Sequence, residues 1–185
     1  MLTYEIDVAG LKRELPLCRV NDDLYIGAFV IFGDVELTVH CAAELLKRAP
    51  EYDYLIAPEA KSIPLLYEMA RQSGAEKYFL ARKGSKLYMQ GTFEVDVKSI
   101  TTDKVQHLVL DAHDAELLRG KRVLILDDVI STGESLRAME ELVNEAGAII
   151  AGKMAILAEG AAADRDDIIF LQKLPVFNAD GSVKD

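Results

Sequence analysis

The chain has 185 residues, 50% hydrophobic and 28% charged, with 21 Lys and Arg against 31 Asp and Glu for a formal net charge of −10. That length suits one domain with a sizeable core, no apolar run approaches the ~18 residues of a membrane span, and the acidic balance disfavours nucleic acid and acidic membranes as partners. Two cysteines, Cys18 and Cys41, are too few for a disulfide framework and suit a reducing, cytoplasmic setting, and residues 1–7 do not read as a secretory signal.

Residues 1–30 show no clear helix–strand alternation. From Asp34 onward, Val35, Val39, Ala42, Ala43, Leu46 and Ala49 mark one helical face that Pro50 ends. Residues 54–57 read as a buried strand. Ser62 is placed to cap a second helix, with Ile63, Leu66, Tyr67 and Ala70 facing inward and Gly74 closing it. Residues 77–81 form the next strand, and 93–99 and 105–110 read as two strands joined through Thr101, Thr102 and Asp103. The run 123–126 has the β-branched content of a buried parallel strand, expected to end at the aspartates that follow. Leu136, Met139, Leu142, Val143 and Ala146 then recur at helical spacing up to Gly147, and the apolar run 149–157 completes the series. Strands alternating with helices predict an α/β fold, a mostly parallel twisted sheet with helices on both faces. Residues 165–185 lack the alternation, like the N-terminal end, and the two ends are expected to fold together.

The densest signal is Arg122-Val123-Leu124-Ile125-Leu126-Asp127-Asp128-Val129-Ile130-Ser131-Thr132-Gly133-Glu134-Ser135. A buried strand delivers two carboxylates, and a small hydroxyl-rich turn then feeds a helix N-terminus. Backbone N–H groups there lack helical partners and can donate to a phosphate together with Ser131, Thr132 and Ser135. Carboxylates do not accept bonds from a phosphate ester, but Asp127 and Asp128 can accept them from the vicinal hydroxyls of a sugar. In open α/β sheets ligands bind beyond the carboxyl ends of the strands, where this loop falls.

This segment resembles the phosphoribosyl pyrophosphate (PRPP) signature of type I phosphoribosyltransferases, closest in appearance to the adenine/xanthine branch. The resemblance implies a single domain over 1–185, with a small hood from residues near 1–30 and 165–185. It also implies a ribose and 5′-phosphate site over Asp127, Asp128, Val129, Ile130, Ser131, Thr132, Gly133, Glu134 and Ser135. A second segment, Pro58-Glu59-Ala60-Lys61-Ser62, lies between a strand and a helix start and resembles the family's pyrophosphate loop, with Glu59-Ala60 expected to be a cis peptide. Lys61 stands where an arginine is usual. A third, Ala81-Arg82-Lys83-Gly84-Ser85-Lys86, concentrates cations in an acidic chain and resembles the Arg-Lys segment that meets pyrophosphate, so Glu59, Ala60, Lys61, Ser62, Arg82, Lys83 and Lys86 are the expected pyrophosphate contacts. Residues 84–103 are the expected flexible lid. Tyr25 and Val129 are the expected base contacts.

The implied reaction displaces pyrophosphate from PRPP by a purine ring nitrogen, with Mg2+ held mainly through PRPP rather than by protein ligands, in a cytoplasmic homodimer that binds neither nucleic acid nor membrane. His40, His107 and His113 are scattered and read as structural or surface residues. Two features bear on the base. Adenine enzymes commonly carry a glutamate in the lid where this chain has Ser99-Ile100-Thr101-Thr102, which looks closer to xanthine phosphoribosyltransferases and purine repressors. The 6-oxopurine enzymes typically present a lysine where this chain has Ala158-Glu159-Gly160-Ala161, which favours adenine. Three readings stand at this point: a purine salvage enzyme with adenine favoured and xanthine or another 6-oxopurine as alternative, a non-catalytic PRPP-sensing regulator, and a binding protein with a degenerate pocket. The acidic charge and the lack of a winged-helix-length N-terminal region weigh against the second.

Overall fold

A computed structural model describes residues 2–98 and 105–184. The core is a five-stranded sheet in which every neighbouring pair is parallel, in the order β10-β9-β8-β4-β5 (Ile169–Leu174, Ile149–Glu159, Arg122–Ile130, Tyr54–Pro58 and Phe79–Ala81). Parallel strands need crossover connections: helices α2 (Ile63–Ser73), α3 (Ala112–Leu118) and α4 (Glu134–Glu145) lie between them in sequence, and α1 (Val35–Leu46) precedes β4. The period of two along β8 sorts its side chains between two cores: Val123 and Ile125 join a cluster with Leu136, Met139 and Leu142 of α4, whereas Leu124 and Leu126 join one with Leu37 and Leu45 of α1 and Leu66 of α2.

The two chain ends share a second sheet. Strands β1 (Thr3–Val8), β2 (Leu11–Arg19), β3 (Tyr25–Gly27), β11 (Val176–Phe177) and β12 (Val183–Lys184) pair antiparallel in that order. Tyr4 and Phe177 join its strands through rings 4.9 Å apart. A separate antiparallel hairpin, β6 (Thr92–Lys98) and β7 (Val105–Asp111), stands beside β5, to which Arg82 connects it by a bridge to Val109.

Four local expectations are corrected. The strand β8 does not stop at the aspartates but continues to Ile130, with Asp127 opposite Ala155 and Ile130 opposite Ala158. The buried face of α1 is Leu37, Thr38, Cys41, Ala42 and Leu45, while Val35 is 73% exposed, because the stripe facing the sheet is rotated from the one the valines define. In α2 the inward residues are Leu65, Leu66, Glu68, Met69 and Ala70, with Tyr67 turned outward. The short helix α3, capped by the Asp111 side chain accepting from the N–H of His113, was not anticipated. The face of α4 is as expected, with Leu136, Met139, Leu142 and Val143 all buried. Asp34 caps α1, and Gly74 ends α2 in the left-handed region. The turn through Thr101, Thr102 and Asp103, and with it the tip of the expected lid, lies outside the described residues.

Candidate active site

The site lies at the carboxyl ends of β4, β5 and β8. Because β4 and β8 are adjacent and parallel, with Ile56 opposite Ile125, the loops that leave them emerge side by side. Ser62 is only 1% exposed and makes no side-chain cap to α2; its hydroxyl instead donates to Oδ1 of Asp127 at 2.7 Å. The expected helix cap is thus a brace between the two loops. The backbone N–H of Asp128 donates to the same oxygen at 2.9 Å. Burial first, and then the neighbouring Asp128 charge, push the Asp127 carboxyl well above the ordinary carboxylate range, against the opposing bond from Ser62. Asp128 is 6% exposed, and its Oδ2 is fully buried with no hydrogen-bond partner among the described residues. A buried carboxylate oxygen left unpaired is costly, so the arrangement is that of an acceptor prepared for a donor from outside the protein.

Two clefts meet at Asp127, and Asp128 lines the larger of them. The larger, about 280 Å³, is lined by Pro58, Glu59, Ala60, Lys61, Ser62, Lys83, Gln106, Leu108, Asp127, Asp128, Val129 and Ser135. The smaller, about 110 Å³, is lined by Asp127, Val129, Ile130, Ser131, Thr132, Gly133, Ser135 and Leu136. They share Asp127, Val129 and Ser135, so a ligand with a phosphate at each end of a sugar can occupy both. Gly133, at φ +80°, makes the turn into α4 that aims the first N–H groups of the helix at the smaller cleft. Glu134 opens α4 and lines neither cleft. The Glu59–Ala60 bond is cis, as the sequence led us to expect.

The cations divide. Lys61 and Lys83 line the larger cleft, but Arg82 and Lys86 do not. Arg82 is turned to Glu59, donating from Nε at 3.0 Å, and to the hydroxyl of Tyr88 at 2.7 Å. The backbone N–H of Lys83 also donates to Glu59, and this bond first, with Arg82 adding to it, holds the Glu59 carboxyl below the usual range. Glu59 is therefore a local organiser of the Arg-Lys segment, and Arg82 is spent on that task in this arrangement. Tyr25 is not brought to either cleft: it is paired with Phe177 in the second sheet. Val129 lines both.

Sequence reasoning missed Gln106 and Leu108, which reach the larger cleft from β7. Their spacing of two along one strand was the available signal. Glu159 ends β9, nearly buried; burial raises its carboxyl, while Ser131 and Lys61 nearby pull it down. Among the described residues no group of three or more His, Cys, Asp and Glu could hold a metal ion.

The sequence model for the phosphoribosyl transferase domain matches residues 38–184. The chain belongs to that family. Among relatives of the phosphoribosyl transferase family, it is 27% identical over 149 residues to an orotate phosphoribosyltransferase of Caldanaerobacter subterraneus, covering 80% of this chain and 64% of the relative. It is 29% identical over 127 residues to an adenine phosphoribosyltransferase of Kosmotoga olearia, covering 68% and 69%. The chain thus spans about two thirds of the length of these relatives. The crystal structure of adenine phosphoribosyltransferase from Thermoanaerobacter pseudethanolicus shares the fold, with a TM-score of 0.64 at 24% identity over 77% of this chain and 84% of that one. Among the described residues no helix is long and apolar enough to cross a membrane.

Proposed function

We propose that this protein is a purine phosphoribosyltransferase that transfers the phosphoribosyl group of PRPP to a base, adenine favoured. The observation that carries the reading is the buried Oδ2 of Asp128, unpartnered among the described residues, in the wall of the larger, lysine-rimmed cleft and next to Asp127, which also lines the smaller, hydroxyl-rimmed one. A sugar diol supplies the donors that oxygen lacks. The 5′-phosphate then falls in the smaller cleft, on Ser131, Thr132 and Ser135 and the backbone N–H groups at the start of α4. The pyrophosphate falls in the larger cleft, on residues 59–62 and Lys83.

In the reaction a ring nitrogen of the base forms a bond to the anomeric carbon as the bond to pyrophosphate breaks; the pyrophosphate leaves with the bonding electron pair and takes up the proton that the base's ring N–H gives up. Asp127 and Asp128 orient the ribose by accepting from its hydroxyls, and their negative charge favours the positive charge that develops on the ring. Lys61 and Lys83 stabilise charge on the departing pyrophosphate. Val129 lies beside both clefts, where it can flank the base. Mg2+ would arrive with PRPP and be held mainly through it, with Asp127 and Asp128 as the hard oxygen donors of the cleft wall beside it. When bound, that ion would help neutralise the leaving group.

The preference for adenine is supported by the chemistry of residues 158–161, which offer no lysine to a 6-oxo group and carry the acceptor Glu159. The decisive assay supplies PRPP and Mg2+ with adenine, hypoxanthine, guanine, xanthine or orotate in turn and measures pyrophosphate release. Turnover with adenine is expected. Turnover only with an oxopurine or orotate overturns the base assignment, and PRPP binding without turnover for any base overturns the salvage reading.

A further inference from the structure

We propose that Arg165 belongs to the 5′-phosphate site: clamped by Asp167 against the Gly133 turn, it presents a guanidinium edge to the loop that receives the phosphate. This rests on the phosphoribosyl reading of residues 131–135.

Arg165 directly follows a short 3-10 helix, Gly160–Asp164, which leaves the end of β9. Its Nε and one Nη donate to the two oxygens of Asp167 at 2.8 and 2.7 Å, the paired geometry that fixes the plane of the guanidinium. The remaining nitrogen, Nη1, lies 2.8 Å from the point a Cβ on Gly133 would occupy. Among the described residues, Nη1 has no hydrogen-bond partner.

The clamp is anchored from behind. Asp167 also binds Lys153, whose ammonium, in a side chain only 14% exposed, reaches Glu140 of α4 at 2.7 Å. The helix whose N-terminus forms the cradle is therefore tied to the same network that aims Arg165. The two cations and two carboxylates balance overall, so the cluster acts locally, through the guanidinium nitrogen nearest the loop. Residues 131–135 contain no Lys or Arg, and the chain carries a net charge of −10. A phosphate dianion there meets hydroxyls and backbone N–H groups, and Arg165 supplies the adjacent positive charge. Lysine cannot hold Asp167 with two nitrogens and offer a third in a fixed direction.

The test measures binding of ribose 5-phosphate and, separately, of pyrophosphate by calorimetry for the wild type, Arg165→Gln and Arg165→Lys, with thermal melts of each. Arg165→Gln is expected to weaken ribose 5-phosphate about five- to tenfold, the size of one partly screened charge–phosphate contact, with pyrophosphate within about twofold. Arg165→Lys, which keeps the charge, is expected to recover part of the loss. Unchanged ribose 5-phosphate affinity in Arg165→Gln, or equal losses for both ligands in both variants, overturns the proposal. A wild type that binds neither ribose 5-phosphate nor PRPP instead refutes the phosphoribosyl reading itself.

Discussion

Replacing Asp128 with Asn separates what this residue costs the fold from what it gives the ligand. In the free protein Asp128 is 6% exposed, Oδ2 has no partner among the described residues, and its charge is one cause of the upward shift of Asp127. Leaving a buried polar group unsatisfied costs about 1–3 kcal/mol. Asn has nearly the same shape, removes the charge and relieves the repulsion. A gain of about 1–2 kcal/mol is therefore expected, which for a chain of this size is a rise of roughly 2–8 °C in Tm. With ligand present the order should reverse. PRPP at a hundred times its Kd stabilises the wild type by about 2.7 kcal/mol, whereas Asp128→Asn exchanges one of the two acceptor oxygens for an amide donor and removes the charge, so it can no longer accept from both hydroxyls of the diol and should gain little. Thermal melts of both proteins with and without PRPP and Mg2+ give all four values. A variant no more stable than the wild type without ligand would refute the account of the buried oxygen. A variant stabilised by PRPP as strongly as the wild type would refute its role in sugar binding.

Asp127 has a predictable pH signature. Its folded pKa is raised, so between the ordinary carboxylate value and the raised one the folded state binds more protons than the unfolded. The stability it contributes is present below the unfolded pKa and is lost as pH rises through the folded one. Asp127→Asn should flatten that decline in chemical denaturation followed against pH, and an unchanged slope would contradict the shift. Lys61→Ala should weaken pyrophosphate binding about tenfold or less, the scale of a single charged contact, while leaving base binding within about twofold; equal losses for both would indicate damage to the loop. Gly133→Ala places a methyl group in the left-handed region and within 2.8 Å of the Arg165 guanidinium. It should cost about 1–3 kcal/mol of stability by denaturant titration and weaken ribose 5-phosphate; a neutral result would show that the turn relaxes freely.

Where side chains act through local backbone geometry, the sequence was a good guide. The acid pair, the Ser-Thr-Gly turn and the apolar face of α4 fall within one stretch, and each is read by spacing alone. Facing directions in α1 and α2 were misjudged because valine and tyrosine at helical spacing are hydrophobic on either side, and only the neighbouring surface selects the stripe that is buried. Arg82 shows the same limit at the site: a cation in a basic run says nothing about the carboxylate that will claim it, and Glu59, distant in sequence, does so.

Composition, strand–helix alternation and the run through Asp127 and Ser135 thus determined the fold class, the family and the chemistry the loop is suited to, because a parallel strand, its turn and its helix are set by contiguous residues. The tertiary structure decided which groups meet. Ser62 braces Asp127 from a loop 65 residues away, Gln106 and Leu108 complete the larger cleft from a separate hairpin, and Arg165 reaches the Gly133 turn from beyond the last helix. These contacts depend on the order and register of the sheet, which no spacing along the chain encodes.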